Sequence, residues 1–128
     1  MILDCSAIIA IVCREQGFEG LLRKIGLARK VLIGAPTLAE TQLALTVKLG
    51  YNASGITEQF LTECQAVVVP FHREHVGVLF GAFMMFGKGR HPARLNMGDC
   101  FTYATAKVAG LPVLFVGQDF SETDLAAT

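Results

Sequence analysis

The sequence predicts an α/β fold of three layers, α/β/α, around a central, mostly parallel sheet of four to five strands. Short β-type runs alternate with longer helical patterns, which is how a parallel sheet covered by crossover helices is encoded. The β-type runs are almost unbroken apolar stretches, as expected of strands buried on both faces. Glycines punctuate the chain where the helical patterns stop.

In chain order, residues 1–4 read as the first strand and residues 6–13 as a short helix with Ser6 as its natural N-cap. Residues 18–30 are a helix leading into a second strand at 31–35. The helix at 37–49 opens with T-L-A-E, a capping box between Thr37 and Glu40, and stops at Gly50. A helix at 56–64 precedes a third strand at 66–71, and the helix at 73–86 stops at Gly87. His72 and His75, in H-R-E-H, match no zinc-protease spacing and read as surface packing. The stretch G-K-G-R-H-P at 87–92 is an exposed loop. The last helix, 98–109, follows N-M-G-D, a relative of the capping box, and ends at Gly110 before a fourth strand at 113–116.

No repeat or linker divides the 128 residues, so a single domain spanning 1–128 is expected. Hydrophobic residues reach 52% and charged ones only 17%, which excludes disorder and leaves apolar surface for a partner. The 11 basic residues equal the 11 acidic ones, which excludes binding driven by bulk positive charge. Cys5, Cys13, Cys64 and Cys100 show no zinc spacing, so a reduced, cytoplasmic chain is expected. The apolar run at 7–13 is too short for a membrane span and lacks a basic flank, so no membrane association is expected.

In an open parallel sheet, ligands collect where strands end and helices begin. That edge is acidic here: Asp4 ends the first strand, Glu40 and Asp99 lie in first helical turns, and Asp119 follows the fourth strand. Glu40 and Asp99 each read equally as capping residues, and Asp119 as a turn residue. Asp4 has no such structural reason to be there. Four carboxylates at one edge repel one another unless a cation compensates. Hard oxygen donors suit Mg²⁺, with Mn²⁺ as substitute, and such ions meet phosphates. The chemistry indicated is hydrolysis of a phosphodiester by a metal-activated water. Ser6 and Asn96 are supporting candidates, each also a helix cap, and Lys88, Arg90, His91 and Arg94 are candidate contacts to RNA phosphates.

At these residues the chain resembles PIN-domain ribonuclease toxins of the VapC type, from bacterial type II toxin–antitoxin modules. The likeness is carried by M-I-L-D-C-S-A-I-I-A, by A-P-T-L-A-E-T, and most specifically by F-G-K-G-R-H-P-A-R-L-N-M-G-D-C-F-T-Y-A-T-A-K followed by L-P-V-L-F-V-G-Q-D-F-S-E-T-D. It implies a PIN-like fold with Asp4 and Asp99 as metal ligands, Glu40 completing the acidic pocket, and Asp119 at the fourth acidic position, with Asp124 close by in sequence. Cys5 stands where threonine is common, and Gln118 where relatives often carry an acid. The resemblance further implies an endoribonuclease acting on tRNA or rRNA, a homodimer, and a cognate VapB-type antitoxin.

Apolar faces carrying Phe18, Leu21, Leu22, Ile25, Phe60 and Leu61 suit either the core or a groove for an antitoxin helix. The alternative function is a catalytically silent PIN module that binds RNA or a protein. A phosphoacceptor receiver domain is disfavoured, because the third strand ends V-V-V-P-F with no aspartate to phosphorylate.

Overall fold

A computed structural model describes residues 1–125; the end of the expected domain, 126–128, lies outside the described residues. The elements run β1 (Ile2–Leu3), α1 (Cys5–Val12), α2 (Phe18–Leu27), β2 (Leu32–Gly34), α3 (Ala35–Leu49), α4 (Ser54–Glu63), β3 (Val67–Val69), α5 (Arg73–Phe86), α6 (Met97–Ala109) and β4 (Val113–Leu114). The four strands form one parallel sheet in the order β3-β2-β1-β4.

Successive strand residues face opposite sides of a sheet, and here they feed two separate cores. Leu3, Ile33 and Leu114 join Ile8, Ile25, Leu45, Phe60 and Leu61 on one face. Ile2, Leu32 and Val113 join Ala82, Cys100, Tyr103 and Ala106 on the other. The sheet is thus the middle of three layers, with α1, α2 and α4 against one face and α5 and α6 against the other. Each fully buried aliphatic chain contributes about 1.5–3 kcal/mol, so these short strands are held mainly by what packs on them.

The sheet departs from expectation at β3, where Val67 and Val68 are 57% and 40% exposed. This strand is the sheet's edge, and the helices that cover both faces of β1 and β2 leave it uncovered. Helix α2 ends three residues early because the next backbone groups belong to the sheet edge. The Met1 ammonium donates to the Lys30 carbonyl (2.5 Å), and the Leu32 N–H donates to the Met1 carbonyl (2.9 Å).

Two capping expectations and one of surface packing also change. Helix α1 is capped by Asp4 and not by Ser6. Helix α3 starts at Ala35 with Pro36 in its first turn, so Thr37 and Glu40 form no capping box. His75 is buried, its Nδ1 accepting the His72 N–H (2.9 Å) at the start of α5, so it is not surface packing. Of the glycine stops, Gly50 and Gly110 take left-handed φ values of 80° and 68°. Gly87 does not; a Cβ there would stand 2.3 Å from the Phe83 carbonyl oxygen, so it is needed for room.

The chain builds β1, β2 and β3 outward in one direction and then returns to place β4 on the other side of β1. The crevice beyond β1 and β4 is therefore the switch point of the sheet.

Candidate active site

Asp4 stands at that point, buried, with both carboxylate oxygens occupied. Its Oδ2 accepts from the Ser6 N–H (3.1 Å) and the Ser6 hydroxyl (2.6 Å), and its Oδ1 accepts from the Thr102 hydroxyl (2.6 Å). The Ser6 oxygen in turn accepts the Val116 N–H (3.0 Å), which ties the end of β4 to the start of α1. Asp4 therefore does have a structural role as the cap of α1, alongside whatever chemistry it performs. Thr102 was not legible as a site residue. The available signal was its place three residues beyond Asp99, which puts both on one face of α6.

Glu40 projects from the second turn of α3, half-buried. Its carboxylate lies directly on Gly98, where an added Cβ would be 2.0 Å from Oε2. The Cys5 thiol lies close enough to this carboxylate to feel its charge. Burial, and then the charge of Asp4, push the Glu40 carboxyl above its ordinary range. Burial also holds the Cys5 thiol up at about 11, with Glu40 and Asp4 adding to the effect, so it stays protonated at neutral pH.

Asp99 lies in the first turn of α6 inside a complete capping box. The Asn96 side chain accepts the Asp99 N–H (2.9 Å), and Asp99 Oδ2 accepts the Asn96 N–H (3.0 Å). Despite that donor, burial pushes the Asp99 carboxyl up to about 7, and the charges of Asp119, Asp4 and Glu40 push the same way. The four acids named from sequence thus meet electrostatically, although they come from four different connections.

Asp119 is exposed, just beyond Gly117, whose φ of 105° turns the chain after β4. With Asp99, Asn96, Gln118, Glu122, Lys88 and Arg94 it lines a cleft of about 550 Å³. Asp124 is engaged elsewhere, accepting from the Tyr103 hydroxyl (2.7 Å) and pairing with Lys107 (2.8 Å). Of the basic loop residues, Lys88 and Arg94 line the cleft. Arg90 stacks over Phe83, 5.6 Å from the ring centre, and His91 packs edge-on against Phe86 while its Nδ1 accepts the Ala93 N–H.

Among the described residues, no group of three or more His, Cys, Asp or Glu side chains makes a metal cage by itself. A hard cation that keeps several waters needs only one or two carboxylates. Two carboxyls raised by burial and by the charges of neighbouring acids match that demand, since a divalent cation offsets that repulsion.

On the β3–β2 side, away from this cleft, a groove of about 540 Å³ runs between α2 and α4. Leu22 is 42% exposed there, whereas Ile25, Phe60 and Leu61 are buried and Phe18 and Leu21 pack on the core. Arg29, Lys30 and Glu63 rim it. No described helix is long and apolar enough to cross a membrane.

A three-layer α/β/α fold with carboxylates gathered at its switch point defines the class as an α/β domain with an acidic pocket at the sheet edge. Its family follows from comparison with known proteins. The PIN domain model matches residues 1–125. Ribonuclease VapC36 of Mycobacterium tuberculosis is 42% identical over 126 residues, covering 98% of this chain and 91% of that protein. The chain belongs to the PIN-domain family, among the VapC ribonucleases. Two solved structures share the fold. The Mycobacterium tuberculosis VapC20 toxin, described as cleaving the sarcin–ricin loop, has a TM-score of 0.78 at 17% identity, covering 99% of this chain and 97% of its own. A toxin–antitoxin complex from Klebsiella pneumoniae has a TM-score of 0.72 at 14% identity, covering 96% and 92%.

Proposed function

We propose that this chain is a Mg²⁺-dependent endoribonuclease, the toxin of a type II toxin–antitoxin pair, with Mn²⁺ able to replace Mg²⁺. The observation that carries the reading is the convergence of Asp4, Glu40, Asp99 and Asp119 on one strand edge, with Asp99 raised to about 7 by burial and its acidic neighbours. Asp4 and Asp99 would hold the ion, with Glu40 and Asp119 completing the pocket. When bound, the ion supplies a lowered pKa for attacking water and a counter-charge for the leaving oxygen.

The chain's own groups do the rest. Ser6 and Thr102 hold Asp4 in place, because each hydroxyl donates to a carboxylate oxygen at 2.6 Å. Asn96 fixes the backbone from which Asp99 projects. Lys88 and Arg94 line the cleft beside Asp99 and Asp119, where they neutralise phosphates flanking the scissile bond. Structured RNA, tRNA or rRNA, working in the cytoplasm, is the proposed substrate.

The partner is a cognate VapB-type antitoxin whose helix fits the groove between α2 and α4, with Leu22 and Cys64 as its apolar lining. A homodimer is supported by apolar stripes at helical spacing, Leu43 and Val47 on α3 and Val76, Phe80 and Met84 on α5, all exposed.

The test is inducible expression with sequencing of RNA 5′ ends, alongside cleavage by the purified chain in Mg²⁺, Mn²⁺ and EDTA. Cleavage sites that vanish in Asp99→Ala and in EDTA are expected. Full cleavage by Asp4→Ala and Asp99→Ala would overturn the reading, and RNA binding without cleavage under every metal would make the chain a silent PIN module.

A further inference from the structure

We propose that Gly98 is a positioning residue that fixes the Glu40 carboxylate at the mouth of the site. Its bare Cα leaves the notch in which the carboxylate lies. This rests on the nuclease reading for what Glu40 does, though not for where it stands.

Gly98 is a poor helix residue in the first turn of α6, and its backbone conformation is one that any residue adopts. Glycine in a helix costs about 1 kcal/mol against alanine. What it provides is space. A Cβ at 98 would lie 2.0 Å from Glu40 Oε2, 2.9 Å from Oε1 and 2.8 Å from Cδ, so all three atoms would have to move. Real contacts of that kind do not occur, and the side chain would swing out of the notch. Among the described residues no lysine or arginine pairs with Glu40. An absent methyl group is therefore what leaves the carboxylate its place.

The experiment uses the full chain and a double-mutant cycle. Gly98→Ala, Glu40→Ala and the double variant are compared with wild type. Manganese affinity is measured by calorimetry with MnCl₂ and no RNA, single-turnover cleavage with purified tRNA and rRNA, and folding by thermal melts. Gly98→Ala is expected to keep its melting temperature, to weaken Mn²⁺ binding about tenfold, the scale of coupling between contacting side chains, and to lower kcat with KM unchanged. In the Glu40→Ala background the same change should cost nothing, because the collision is gone.

Wild-type Mn²⁺ affinity in Gly98→Ala, or an equal loss with and without Glu40, overturns the proposal. Absence of Asp99-dependent cleavage in wild type would instead sink the nuclease reading, and the Mn²⁺ cycle would still decide the positions.

Discussion

Asp4 and Asp99 sit a few side chains apart and are built in opposite ways. At the strand end, Asp4 receives three hydrogen bonds, one from a backbone N–H and two from hydroxyls, and doubles as a helix cap. At the helix start, Asp99 receives one, from the Asn96 N–H, and is pushed up to about 7 by burial and three acidic neighbours. The first region is finished without a cation; the second is not. In such a pair one carboxylate holds the frame while the other is kept in a state that only a cation or a proton relieves.

The sharpest break of this contrast comes from removing each charge. Asp4→Asn and Asp99→Asn should both lower Mg²⁺-dependent RNA cleavage on the order of 10³-fold, the scale of losing a group that stabilises transition-state charge. Their stabilities should part. Asp4→Ala removes a cap worth about 1 kcal/mol and orphans the Thr102 hydroxyl, so its melting temperature falls. Asp99→Asn, with Asn96 still able to donate to it, should melt higher than wild type in EDTA at pH 8. Equal losses of stability in both would remove the distinction.

A pH series sharpens the same point. The folded state keeps the Asp99 proton up to about pH 7, whereas the unfolded chain releases it near the ordinary value of 3.8. Between these limits the folded state binds more protons, so this group's stabilising contribution is complete below about pH 4 and is lost as pH rises through 7. Melting in EDTA should show that loss for wild type and not for Asp99→Asn. Added Mg²⁺ should offset it, because the cation takes the proton's place.

A smaller effect is expected from the frame around Asp4. Thr102→Val leaves the buried Asp4 Oδ1 without its donor, and a hydrogen bond to a charged group is worth about 1.5–3 kcal/mol. A urea melt should show that loss, with Thr102→Ser restoring most of it. An unchanged midpoint in Thr102→Val would mean that Ser6 alone supports Asp4.

This contrast also marks what could be read from the chain. Strand and helix order and the Asn96 cap follow from apolar runs and local spacing and agree with the structure, while Asp4 and Asp99 were legible by position, at the end of β1 and in the first turn of α6. Glu40 was legible as an acid at the right edge, but the capping role offered for it dissolves once α3 is seen to start at Ala35. Thr102 and Gly98 were missed as site residues because their roles depend on contacts that α6 makes with Asp4 and with α3, which no local pattern encodes. The exposed face of β3 was misread for the same reason: an apolar run states what a strand is made of, not whether a helix covers it.

The smallest effect lies farthest from the carboxylates, in the basic loop. Lys88 and Arg94 line the cleft, while Arg90 is stacked on Phe83. Each phosphate contact to single-stranded RNA contributes a slope of about 0.7 in log affinity against log salt. Lys88→Ala and Arg94→Ala should each lower that slope by about this amount, measured by RNA binding in Ca²⁺ from 50 to 200 mM salt, roughly the range over which such slopes resolve. Arg94 holds a left-handed φ of 54°, which alanine tolerates no worse, so its loss reports charge and not backbone. Arg90→Ala should leave the slope unchanged. A larger drop for Arg90 than for Arg94 would place the RNA path on the outer face of the loop and away from the acids, and would separate the two charged regions that the proposed mechanism joins.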